Sequence, residues 1–103
     1  MSRMSSIATG LAAAGLVFGT VAAQAYTGRE LASLAKISIA EARAIALTAH
    51  PGSITDEELE RESGGSGLRY SFDIKRGSVT QEVGVDARTG RVLENKKEGP
   101  HPD

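Results

Sequence analysis

The sequence predicts an α+β fold: a short N-terminal helix, and one main helix packed on a three- to four-stranded antiparallel β-meander. Three observations carry this. Ile39 to Ala49 is rich in alanine, keeps apolar residues at helical spacing and stops at His50-Pro51-Gly52. Leu68, Tyr70, Phe72 and Ile74 alternate strictly with Arg69, Ser71, Asp73 and Lys75, which is the period of a half-buried strand. Asp86-Ala87-Arg88-Thr89-Gly90 is a turn between two further short strand-like runs.

The start of the 103-residue chain reads as an export signal. Arg3 supplies a positive start. Ile7 to Val21 carries no charge, and Ala23-Gln24-Ala25 is a small-x-small site. Cleavage is expected between Ala25 and Tyr26. The alternative is a retained membrane span, because the uncharged run from Ser5 to Tyr26 is long enough to cross a bilayer. Alanine, glycine and threonine dilute that run, which favours cleavage. There is no cysteine, so neither a lipid-modified cysteine nor a disulfide is available.

The expected product is an exported chain, periplasmic or extracellular, with no stable membrane insertion after cleavage. Loss of Arg3 takes the formal net charge from −1 to −2. That near-neutral balance lacks the basic excess that binding to phosphates requires, so nucleic acid is not an expected partner. A domain this small buries a modest share of its surface and, without disulfides, depends on packing. The expected organisation is signal peptide 1–25, short helix 26–36, a single folded domain 37–95 and a loose tail 96–103.

The elements follow in order. Thr27-Gly28-Arg29-Glu30 has the form of a capping box, with Leu31, Leu34 and Ala35 behind it, so a helix of about two turns is expected over 28–36. Ser38-Ile39-Ala40-Glu41 repeats the box before the main helix, whose inner face is Ile39, Ala42, Ile45, Ala46 and Ala49. Pro51 ends it. Thr55-Asp56-Glu57-Glu58 is a third box, and local propensity favours a helix over 54–63. Gly64 to Gly67 is a turn. Leu68–Lys75 is a strand, Arg76-Gly77-Ser78 turns the chain, and Val79 to Asp86 is the next strand. Arg91 to Glu94 is a last short one, and from Asn95 the chain is polar. The predicted core is Leu68, Tyr70, Phe72, Ile74, Val83 and Val85 beneath the main helix.

These residues in this order resemble the PepSY domain. The likeness rests on Ile37-Ser38-Ile39-Ala40-Glu41-Ala42, the helix ending at His50-Pro51-Gly52, Glu58-Leu59-Glu60, Tyr70-Ser71-Phe72-Asp73-Ile74, and Val83-Gly84-Val85-Asp86-Ala87-Arg88-Thr89-Gly90-Arg91-Val92-Leu93. It covers about Ile37 to Glu94. The resemblance implies that 54–63 is a strand, against its local propensity, with its acidic side chains on a solvent face or guarding an edge. PepSY domains occur in propeptides of thermolysin-type metalloproteases, where they are linked to inhibition and assisted folding. They also occur in exported proteins without a protease. The resemblance therefore implies a binding or regulatory module with a protein partner, and inhibition of an extracytoplasmic peptidase is its most concrete form. A ligand-sensing or accessory protein for a membrane partner in the envelope is the alternative.

No catalytic, cofactor or metal site is expected. The two histidines, His50 at a helix end and His101 between prolines, lack companions at metal-ligand spacing. Gly65-Ser66-Gly67 is a hairpin turn, not a nucleophile elbow, since no strand leads from it into a helix. Nothing resembles a calcium-binding loop, and no glycine-rich loop opens a helix onto a phosphate. By parity Tyr70 and Phe72 are core. The candidate interaction face is the opposite set, Arg69, Ser71, Asp73 and Lys75. Pairing of an extended peptide to a sheet edge is a second route.

Overall fold

The structure, a computed structural model, describes residues 25–99. The signal-like segment before Ala25 and the end of the tail, with His101, lie outside them. A 3-10 helix, Arg29–Leu34, comes first. Helix α1 spans Ile39–Ala49. Strands β1 (Ser53–Arg61), β2 (Leu68–Arg76), β3 (Val79–Asp86) and β4 (Val92–Lys97) follow, and they pair antiparallel in sequence order in one four-stranded sheet.

Helix α1 begins as its capping box predicts. Glu41 N donates to Ser38 Oγ at 3.0 Å, and Ser38 N donates to Glu41 Oε1 at 2.8 Å. It ends at His50, whose extended backbone still donates its N–H to Ala46 O at 2.8 Å. The box predicted at Thr27 does not form. Gly28 caps the 3-10 helix at φ 86° with no side-chain bond. The physical reason is competition: the Thr27 backbone is bridged in parallel to Glu58, and its carbonyl accepts from Leu59 N at 2.8 Å.

Residues 54–61, helix-prone by local rules, are strand. β1 pairs with β2 from Ser53↔Lys75 to Arg61↔Leu68, with a bulge at Thr55. Tertiary pairing overrides propensity here because Leu59 is buried opposite Tyr70, and Glu57, opposite Phe72, reaches Arg43 on the helix. The last strand runs to Lys97, three residues beyond the expected Glu94, because Asn95, Lys96 and Lys97 pair with Val83, Glu82 and Gln81.

One face of the sheet forms the core. Leu68, Tyr70, Phe72, Ile74, Val83 and Val85 are all buried, joined by Leu59, Ala87 and the helix residues Ala42 and Ala46. Each large side chain among them contributes on the order of 1.5–3 kcal/mol by leaving water. The small Ala42 and Ala46 let the helix lie close over β2 and β3. Ile39 and Ile45 pack at the margin of this core. Val79 shares the core parity but is 37% exposed, because it sits at the hairpin tip opposite Arg76.

Candidate functional site: the open face of the sheet

Alternation along each strand sends every second side chain to the face the helix leaves open. Register then stacks them into rows. Asp56, Asp73, Glu82 and Lys96 form one row across all four strands. Glu58, Ser71, Gly84 and Glu94 form the next, and Glu60, Arg69 and Asp86 a third. The first row, with Glu58 and Ser71 of the second, lines a polar hollow of about 790 Å³, bordered by the Lys96–Gly99 segment.

Carboxylates dominate the rows, and they disturb one another. Burial pushes the Asp73 carboxyl above its ordinary value, and the charge of Asp56 adds to the effect. Glu82 is raised by burial and then by Glu94, Asp73 and Glu98, with Lys96 opposing. Glu60 is raised by burial, partly offset by its hydrogen bond from Ser71, with Glu58 and Glu62 adding repulsion. A face with these properties favours an approaching positive charge.

The four residues predicted for this face divide into two pairs. Arg69 and Ser71 are engaged within the chain. The Arg69 guanidinium donates to Glu94 at 3.3 Å and to the Ser63 carbonyl at 3.2 Å. Its stem lies over Gly84, where an added Cβ would meet Arg69 Cδ at 2.9 Å. Ser71 is 7% exposed and donates to Glu60 at 2.8 Å. Asp73 and Lys75 reach solvent, Asp73 within the hollow and Lys75 beyond its margin. Ala25 and Tyr26, the expected cleavage pair, line a separate hollow of about 420 Å³ with Arg43 and residues 54–57.

The sequence reading missed two centres. Asp86, 1% exposed, accepts from Ser66 N at 2.6 Å, Ser66 Oγ at 2.8 Å, Arg88 N at 2.8 Å and Thr89 N at 3.0 Å. Burial opposes its charge, but these donors outweigh burial and hold its carboxyl well below the ordinary range. The Asp-x-x-Thr-Gly turn signals the local half of this cluster; nothing in spacing signals Ser66. Likewise Arg43 grips Glu57 through Nε at 2.5 Å and Nη2 at 3.1 Å. Among the described residues no group of acidic, histidine or cysteine side chains is disposed to hold a metal ion, and no helix is long and apolar enough to cross a membrane.

Residues 36–96, more than half of the chain, match the PepSY family, described as peptidase propeptide and YPEB domain. The chain belongs to the PepSY family. No curated protein and no solved structure matches it. The PepSY domain is a propeptide-like or regulatory type of module, not a catalytic type, and domains of this family are generally extracytoplasmic. The match takes in the whole of α1, all but the last residue of the sheet, and therefore every row of the open face. It begins at Lys36, after the 3-10 helix, so the segment seated on the edge of β1 lies outside the matched residues.

Proposed function

We propose that this PepSY protein is an exported, non-enzymatic binding module that inhibits or modulates an extracytoplasmic peptidase, docking it through the open face of the sheet. The observation that carries this reading is the match of residues 36–96 to a family described by peptidase propeptides. The open face supports it: a polar hollow whose half-buried carboxylates Asp73 and Glu82 are held above their ordinary values suits a partner segment bearing lysine or arginine. Lys75 and Asp73 are the solvent-reaching members of the predicted set, and Glu82 and Glu58 join them.

The experiment is capture of partners from envelope extract on the immobilised protein, followed by peptidase assays with the protein added. Recovery of a peptidase whose activity falls on titration supports the reading. Asp73→Asn and Glu82→Gln together are expected to weaken that effect while leaving the fold intact. Recovery of a sensor or other membrane protein in place of a peptidase, or turnover of peptide or ester substrates by the protein alone, overturns it.

A further inference from the structure

The two edges of the sheet differ. β1 is covered, since Thr27 bridges to Glu58 and accepts from Leu59 N. β4 carries no such cover among the described residues. An uncovered edge is a template for another strand.

The ladder dictates which groups that edge presents. Glu98 N donates to Thr80 O at 2.9 Å, and the register continues with Lys97 opposite Gln81, Lys96 opposite Glu82 and Asn95 opposite Val83. In an antiparallel ladder alternate residues turn their main-chain groups the same way. Glu94 and Lys96 therefore turn theirs inward to β3, like Glu98, and Asn95 and Lys97 turn theirs off the sheet.

The side chains around Asn95 are self-complementary. A second copy laid antiparallel, with Asn95 opposite Asn95, exchanges two main-chain hydrogen bonds at that pair. The same register sets Glu94 opposite Lys96 of the copy, and Lys96 opposite its Glu94. Both are pairs of the narrow, non-hydrogen-bonded kind, in which side chains approach most closely. Lys96 can make this exchange: its side chain is 69% exposed and lies 3.5 Å from Glu94 of its own chain. On the helix side Val92, 41% exposed, and Ile45 and Ala49 of α1 wall an apolar hollow of about 350 Å³ beside β4. The two-fold axis brings both hollows to one face of the joined sheet, flanking the seam.

We propose that the protein forms an isologous dimer through β4, with Asn95 on the two-fold axis and Glu94 paired to Lys96 across the seam. The two four-stranded sheets become one continuous sheet, and the two acidic hollows lie side by side on its open face.

Sedimentation velocity over a wide concentration range, up to the millimolar, tests this. A reversible monomer–dimer equilibrium is expected. Lys96→Glu, an exposed change that turns two attractive pairs into two repulsive ones, should weaken the dimer roughly tenfold or more. Asn95→Pro removes an outward N–H without touching the inward ladder and should give monomer with an unchanged circular-dichroism spectrum. Lys75→Glu, on β2 with β3 between it and the seam, should leave the equilibrium unmoved. A protein monomeric at every concentration, including one that captures an extended foreign peptide on β4, overturns the proposal. So does a dimer that survives Lys96→Glu undiminished.

Discussion

Ser66 gives Asp86 two hydrogen bonds, from its backbone N–H at 2.6 Å and from its hydroxyl at 2.8 Å, across 20 residues of sequence. The turn joining β1 to β2 is thereby fastened to the turn joining β3 to β4. Asp86 also holds its own turn through Arg88 and Thr89. One carboxylate thus sets the geometry of two loops at one end of the sheet, and Gly65 is seated so closely against it that no side chain fits there.

Asp86→Ala leaves four donors without their acceptor at a buried position. Bonds to a charged acceptor contribute more than neutral ones, and unsatisfied buried groups add a desolvation cost. The expected loss is about 3–5 kcal/mol, at the severe end for one substitution. Asp86→Asn should cost less than alanine but remain clearly destabilised, because its amide nitrogen cannot accept from Ser66 N. Chemical denaturation of the three proteins checks the order. An alanine variant as stable as the parent would show that the two turns hold without the carboxylate.

Stability should depend on pH in two opposed ways. Asp86 has a folded value below its ordinary 3.8. Its contribution is therefore present above that ordinary value and is lost as pH falls toward the depressed one. Asp73, Glu82 and Glu60 have folded values above their ordinary 3.8, 4.5 and 4.5. The folded state then holds their protons more tightly than the unfolded chain does, so their contribution is full below the ordinary values and is lost as pH rises through the raised ones. Stability should peak in mild acid and fall on both sides. In Asp73→Asn/Glu82→Gln, denaturation midpoints should lose much of the decline toward neutral pH and keep the acid collapse. A double variant with the parent's profile would contradict the assignment.

Tyr70 should resist alkali. Its hydroxyl donates to the Ile37 carbonyl at 2.9 Å, and burial first, then the neighbouring Tyr26 and Glu41, push its value up to about 12. The neutral phenol is the form the fold prefers, so this contribution is complete below the ordinary value of 10.0 and disappears as pH rises from there to about 12. An absorbance titration should find one of the two tyrosines ionising only as the protein unfolds. Tyr70→Phe should cost about 1–3 kcal/mol by leaving the Ile37 carbonyl unpaired.

Legibility in the sequence followed the range of the interactions. The strict alternation of Leu68 to Ile74 declared β2 and its buried face, because period two is written in consecutive residues. Phe72→Ala accordingly should cost about 3–5 kcal/mol, read as a lowered melting temperature. β1 was obscure locally, since Asp-Glu-Glu-Leu-Glu is helix-prone and becomes strand through pairing with residues up to 22 positions away, Ser53 with Lys75. The length of β4 was hidden by the polarity of Asn95, Lys96 and Lys97, which pair by backbone with β3. At the open face, parity found Arg69 and Ser71 but not their engagement: Glu94 and Glu60 lie 25 and 11 residues from them. Side-chain partners at that separation leave no periodic trace.

Gly28 should prove the hinge on which the N-terminal segment is seated. Its φ of 86° is left-handed, and an added Cβ would run into the Leu59 carbonyl of β1. Gly28→Ala therefore carries a backbone strain of about 1–3 kcal/mol, and the collision adds to it. The segment can relieve both only by leaving the strand edge. That would break the bond from Leu59 N to Thr27 O and separate Tyr26 from Tyr70, whose ring centroids are 6.4 Å apart. Hydrogen exchange should show lost protection at the Leu59 amide, with the amides paired between β2 and β3 unchanged. Should the Leu59 amide stay as protected as in the parent, the segment would not depend on glycine at this position.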